Sequence, residues 1–152
     1  MRGFTHLLLA VLFVLPFAGF FSFGRYVLFF TIFLFAALLP DIDHPGSLLG
    51  KKLWPFSLLI SLFFGHRGLF HSILLPLAFL FFGWYFSLFW IGLALAGGYI
   101  SHLIGDSLTV SGVKPLGIGP KLRGFIRTGG LLEFFFMILL LVFLLWVFWI
   151  RI

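Results

Sequence analysis

The stretch LLEFFFMILLLVFLLWVFWI at residues 131–150 decides what kind of protein this is. Apart from Glu133 near its start it is apolar, with no polar face of the kind an amphipathic helix in water presents. A helix of this length rises about 30 Å, the thickness of a bilayer's hydrocarbon core. The chain around it has the same character: of 152 residues, 62% are hydrophobic, 22% aromatic and 9% charged. A soluble domain needs about 25% charged residues to cover its surface, and a disordered chain needs low hydrophobicity, so both classes are excluded. There is no cysteine, which removes disulfides, thiolate metal ligands and thiol nucleophiles, and leaves nitrogen and oxygen as the donors for any metal.

Four further apolar runs lie between the charges, at residues 4–23, 26–39, 69–86 and 88–104. The expected fold is therefore an all-α polytopic membrane helical bundle of about five transmembrane helices, forming a single domain over residues 1–152. The apolar stretch at 53–65 is too short to span and reads as an interfacial or re-entrant helix. The run at 26–39 covers only about 21 Å before Pro40, so its end should stop inside the membrane and hold the next polar segment in a dent. Arg2 followed by an apolar run also fits a signal peptide, in which case the first segment is cleaved, but no clean small-x-small cleavage site follows it.

Orientation follows from the basic residues. With the N-terminus cytoplasmic, that side receives Arg2, Lys51, Lys52, Arg67, Lys114, Lys121, Arg123 and Arg127, and the other side only Arg25 and Arg151. This bias accounts for the net charge of +6 without a nucleic-acid partner. Trp84, Tyr85, Trp90, Trp146 and Trp149 then form an aromatic belt at the opposite interface.

An ionisable group in a membrane is costly, so its position carries information. His6 opens the first run; Asp41, Asp43 and His44 follow the second in Pro-Asp-Ile-Asp-His-Pro; His66 and His71 precede or open the third; His102 and Asp106 close the fourth. The topology brings all of them to cytoplasmic helix ends. His102 and Asp106 are four residues apart, one turn along a helix and about 40° around it, so both can grip one ion. His66 and His71 diverge in a continuous helix, but Gly68 suggests that the helix starts after it, leaving His66 on a loop. Pro40 and Pro45 bias the residues before them towards extended backbone, in which Asp41 and Asp43 point the same way. The candidate metal ligands are thus His6, Asp41, Asp43, His44, His66, His71, His102 and Asp106. Imidazole and carboxylate without thiolate suit Zn²⁺ first, with Mn²⁺ or Fe²⁺ as alternatives, and so many donors suffice for one or two ions.

The strings Asp41-Ile-Asp43-His44-Pro45, His66-Arg67-Gly68 with His71-Ser72, and His102-x3-Asp106 with Thr109 and Gly112 resemble the YdjM-like family of inner-membrane, metal-dependent hydrolases. The resemblance runs from His6 to about Pro120 and implies an inner-membrane hydrolase without naming a substrate. More distantly, the order of the ligands is similar to that in zinc-dependent phospholipase C and related nucleases. That similarity implies metal binding by His6, His71, His102 and Asp106, with Asp41 or Asp43 as ligand or base. The further downstream His and Glu ligands of the phospholipase pattern are missing, so the similarity does not extend to a third metal.

A metal-activated water would be the attacking group, with Asp41 or Asp43 taking its proton. Arg67 is placed to bind a phosphoryl oxygen. The basic, glycine-rich loop at 107–130 reads either as a topology determinant touching anionic lipid head groups or as a substrate clamp. Ser72 and Ser107 lack a nucleophile-elbow context and read as donors that orient ligands. Glu133 suits a helix N-terminus. The function expected is hydrolysis of a phosphoester in a lipid or lipid-linked substrate at the cytoplasmic interface. The alternatives are a divalent-cation transporter, whose site would lie in broken helices of repeated halves that this sequence lacks, and a non-catalytic membrane protein with a structural metal.

Overall fold

The computed structural model describes residues 1–64 and 69–151. Among these, the regular structure is helical, with two isolated β-bridges in the loop before the last helix. The helices are α1 (Gly3–Val14), α2 (Phe23–Ala36), α3 (Leu48–Lys52), α4 (Trp54–Phe64), α5 (Leu74–Tyr85), α6 (Phe89–Ser107) and α7 (Leu131–Arg151). Short 3-10 segments occupy Leu15–Gly19, Pro40–Asp43 and Leu69–His71.

Two helical stretches are long and apolar enough to cross a membrane: Phe23–Asp43, which is α2 continued through the 3-10 turn, and Leu131–Ile150. Among the described residues, the other three expected runs do not reach that length and hydropathy. The first run breaks because Pro16, at the start of the 3-10 segment, lacks the N–H that would continue α1. In the third run Leu69–His71 forms a separate 3-10 turn before α5, which has 12 residues. The second run, by contrast, extends past Pro40 instead of stopping at it.

Helix α6 is the centre of the molecule, packed against α1, α2 and α5. It can be central because much of its surface is small: Gly92, Ala94, Ala96, Gly98, Ser101 and Gly105 are all buried. A Cβ on Gly98 would lie 2.1 Å from the Phe33 carbonyl oxygen, so glycine is what lets α2 approach α6 so closely. Gly83 and Gly92 similarly bring α5 and α6 together at their shared turn, where Ser87 takes a positive φ of 57°. The apolar core between α1, α2 and α6 consists of Ala10, Val14, Phe29, Phe33, Ala37 and Ala94.

Among its described side chains, helix α7 buries the stripe Glu133, Leu140 and Leu144, positions that fall within about 40° of one another around a helix. The rest of its apolar surface, including Leu131, Phe135, Leu139 and Trp149, is exposed, as expected for a helix solvated by lipid. Its buried carboxylate fastens it to α1: Glu133 accepts from the backbone N–H groups of Arg2 and Gly129, each at 2.5 Å, and from Thr5 Oγ1 at 3.0 Å. Those donors cluster where α1 and α7 both begin, so the charge also sits at two positive helix ends.

Candidate metal centre

The packing of α6 against α1, and of the segments before α3 and α5 against its C-terminal end, gathers the scarce ionisable groups into one buried cluster. His6, His71, His102 and Asp43 have no exposed surface, and Asp106 is 1% exposed. Asp41, at the margin, retains 19% side-chain exposure. Carboxylates removed from water to this extent need cationic partners within a few ångströms, because the desolvation penalty is several kcal/mol per ion.

The contacts that the three imidazoles make with Asp106 and Asp41 are longer than good hydrogen bonds. His6 Nε2 lies 3.4 Å from Asp106 Oδ1, His71 Nε2 3.6 Å and His102 Nε2 3.9 Å from Asp106 Oδ2, and His102 Nε2 3.7 Å from Asp41 Oδ1. Two donors bound to one Zn²⁺ at about 2.0–2.1 Å in tetrahedral geometry lie about 3.4 Å apart, so this spacing is that of donors facing a common cation. Two trios, His6 with His102 and Asp106, and Asp41 with His71 and His102, each offer one ligand atom per residue within 4.8 Å of the others. The ring nitrogens of His6 and Nε2 of His102 are buried without a hydrogen-bond partner, which is unfavourable for a neutral imidazole unless something occupies its lone pair. By donor type, spacing and unsatisfied nitrogens, the residues fit a divalent metal.

Each candidate ligand is held by the fold. His102 Nδ1 lies 2.8 Å from the Ala37 carbonyl oxygen, which can only accept, so that nitrogen carries the proton and Nε2 presents its lone pair to the cluster. The His6 ring stacks on His102 with centroids 3.7 Å apart and planes 7° apart. Gly105 leaves the room for it: a Cβ there would come within 2.8 Å of His6 Nδ1. The Tyr99 hydroxyl donates to the Phe70 carbonyl, one residue before His71, fixing that segment to α6. Asp43 Oδ2 lies 3.2 Å from His71 Nδ1, on the side of the ring away from Asp106. Thr109 caps the end of α6, donating to the Asp106 carbonyl at 2.7 Å and accepting from Gly112 N–H. The Met1 ammonium donates to Asp106 Oδ1 at 2.7 Å, which leaves Oδ2 towards His71 and His102.

Asp41 and Asp43 do not point the same way. The segment is not extended: Leu39, before Pro40, takes helical angles (φ −59°, ψ −41°), and Pro40 starts a 3-10 turn whose fixed φ it suits. Three residues per turn set positions two apart about 120° from each other, so Asp41 turns to His102 and Asp43 to His71. His44 does adopt the extended backbone expected before Pro45 (φ −117°, ψ 106°), and this carries it away from the cluster. Its side chain is exposed and its Nδ1 accepts from Gly46 N–H at 3.0 Å within a turn. The structure thus brings together six of the eight candidate ligands and leaves His44 outside; His66 and Arg67 lie outside the described residues. Ser47, which was not a candidate, donates to the Asp41 carbonyl at 2.7 Å and caps α3, tying the acidic turn to the next helix.

The match of the YdjM inner membrane protein profile to residues 1–151 covers this whole arrangement. The chain belongs to the YdjM family. It is 43% identical over 93 residues to the inner membrane protein YdjM of Escherichia coli K12 and to that of Shigella flexneri, in each case covering 55% of this chain and 45% of the relative. It is 39% identical over 101 residues to the uncharacterized protein YvsG of Bacillus subtilis 168, covering 64% of this chain and 63% of that one. The chain therefore spans about half the length of the YdjM relatives it matches. No solved structure matches it. Membership of YdjM, together with two helices able to span a bilayer, makes this an inner-membrane protein.

Proposed function

We propose that the chain is a membrane-embedded, metal-dependent hydrolase that cleaves a phosphoester of a lipid or lipid-linked substrate. The observation that carries this reading is the cluster of three fully buried histidines around Asp106, with imidazole nitrogens aimed at carboxylate oxygens 3.4–3.9 Å away and a carbonyl fixing the tautomer of His102. His6, His71, His102 and Asp106 would hold one or two divalent ions, with Zn²⁺ the best match to the donor set. Such an ion would supply Lewis-acid polarisation of the phosphoryl group and would make a water acidic enough to attack at neutral pH.

The chain's own residues do the rest. Asp43, behind His71, orients that ring so that Nε2 faces the cluster. Asp41 is the carboxylate that both joins the cluster and lines the adjoining cleft, so it takes the proton as water adds to phosphorus and returns it to the leaving oxygen as the P–O bond breaks. The site lies at helix ends, the level that suits a lipid head group, and it meets the cleft at Asp41. The excess of basic residues on one side supports a cytoplasmic site and N-terminus, and the neighbouring basic loops suit anionic lipid head groups.

The test is metal analysis and turnover of the purified full chain in detergent, using phospholipids and lipid phosphates as substrates. Stoichiometric metal and hydrolysis that both disappear in His102→Ala are expected. Full metal occupancy in that variant refutes the site, and metal without hydrolysis of any phosphoester refutes the activity.

A further inference from the structure

Above the cluster opens a cleft of about 1130 Å³, with Met1 and Asp41 at its contact with the metal site. Its walls carry Arg2, Lys51, Lys114 and Lys121, four cations drawn from three separate segments: the approach to α1, helix α3 and the loop between α6 and α7.

Two of these lysines are placed in a way that stability does not explain. Val113 and Leu122 pair as an antiparallel bridge, exchanging hydrogen bonds of 2.9 and 2.8 Å. Lys114 and Lys121 are the next residues inward on the two sides, and both line the same cleft. Like charges at neighbouring cross-strand positions are destabilising, and nothing in the bridge requires lysine there. The loop is also held in place: Gly124 N–H and Ile126 N–H bond back to the Thr109 and Leu108 carbonyls, and the Pro115 carbonyl accepts from Ile73 N–H at 2.7 Å, two residues after His71. The backbone that carries both lysines is thus anchored to the end of α6 and to the segment after His71. An anion between them turns a repulsion into two charge-assisted contacts.

We infer that this cleft binds the substrate's headgroup and that the headgroup carries two phosphates, one at the metal cluster and one between Lys114 and Lys121. A single phosphate at the cluster leaves the lysine pair without an anion, whereas a headgroup with two phosphates offers one to each end of the same cleft. Phe4 and Leu48, which are exposed, stand on the rim of the same cleft and offer apolar surface to a chain entering from the bilayer. The inference rests on the hydrolase reading for the position of the first phosphate, but the lysine subsite is tested without turnover.

The test measures binding of pyrophosphate and orthophosphate to the zinc-loaded full chain in detergent, in the Asp41→Asn background, which keeps His6, His71, His102 and Asp106 but removes the proposed base, so that turnover does not contribute. Pyrophosphate should bind at least about tenfold more tightly than orthophosphate, and more weakly as salt rises. Lys114→Ala with Lys121→Ala should remove that preference by about tenfold or more, and the double arginine variant should restore it. Equal affinity for the two anions, or a preference untouched by the double alanine variant with the helical circular dichroism intact, overturns the inference. A long-chain alkyl diphosphate separates the two sources of the ligand: tighter binding than pyrophosphate, lost in Phe4→Ser, supports a lipid. Binding equal to pyrophosphate overturns the lipid source and assigns a soluble diphosphate. Failure of hydrolysis in wild-type protein with the preference intact would refute the activity proposed above and leave the subsite standing.

Discussion

Replacing Gly105 by alanine should separate metal binding from folding. The added Cβ would stand 2.8 Å from His6 Nδ1, 2.9 Å from His6 Cε1 and 3.3 Å from Leu9 Cδ2. Restoring ordinary contact of about 3.4 Å requires the imidazole to move by about 0.6 Å, and that ring is already stacked on His102 with 3.7 Å between centroids. Overpacking of this kind costs about 1–3 kcal/mol, while glycine to alanine inside a helix returns about 1 kcal/mol. The net loss of stability is therefore about 0–2 kcal/mol, within what a folded domain tolerates. The ring that must move is a proposed ligand, so metal affinity should fall about 10–100-fold, the loss seen when the shell supporting a ligand is disturbed. Chemical denaturation in detergent reads the first quantity, and competition with a chromophoric chelator reads the second. Gly98→Ala is the control: its Cβ meets the Phe33 carbonyl, a backbone atom that cannot rotate away, so it should destabilise the α2–α6 contact more than Gly105→Ala does. Unchanged metal affinity in Gly105→Ala, with the fold intact, would refute the placement of His6 as a ligand.

Asp43→Asn removes the carboxylate 3.2 Å from His71 Nδ1 and should weaken metal binding about 10–100-fold while keeping the stoichiometry, as measured by the same competition assay. His44→Ala should leave metal content unchanged, because that ring is exposed and engaged with Gly46; loss of metal by elemental analysis would return His44 to the site. Glu133→Gln keeps the shape but loses the charge that three donors address, and should cost about 2 kcal/mol in stability without altering metal stoichiometry. Zinc at 100 times its dissociation constant should stabilise the wild-type chain by about 2.7 kcal/mol in the same unfolding assay, and His102→Ala should show no such gain.

Much of the site was legible because a lipid-solvated chain spends charge so rarely. Each His or Asp among apolar runs marked itself, and the four-residue spacing of His102 and Asp106 was already a statement about one helix face. What surrounds them was not legible. Nothing in the string around Tyr99 indicates that its hydroxyl holds the Phe70 carbonyl, and Ala37 serves through a backbone oxygen that any residue would supply. Gly105 did carry a signal, since it lies between His102 and Asp106, but only the approach of α1 shows that its missing side chain makes room for His6.

The acidic turn shows where local reasoning stops. Pre-proline bias favours an extended Leu39, yet Leu39 is helical, because continuing α2 through Pro40 satisfies backbone groups inside the apolar packing. The same bias held at His44, where no helix continued. One local preference of modest size met two tertiary contexts and lost in the first.

The amino-acid sequence by itself determined the solvent of this protein, the outward-facing apolar helix at its C-terminal end and the residue types available to hold a metal. These are sums over composition and short-range spacing, and they do not depend on how segments meet. The tertiary structure alone decided which atoms meet: His6 against His102, Asp43 behind His71, Asp41 at the cleft and His44 outside. The physical reason is that coordination requires donors from four segments, up to a hundred residues apart, to agree within a few tenths of an ångström. That agreement is set by helix approach at glycines and by rotation about single backbone turns, and neither is additive along the chain.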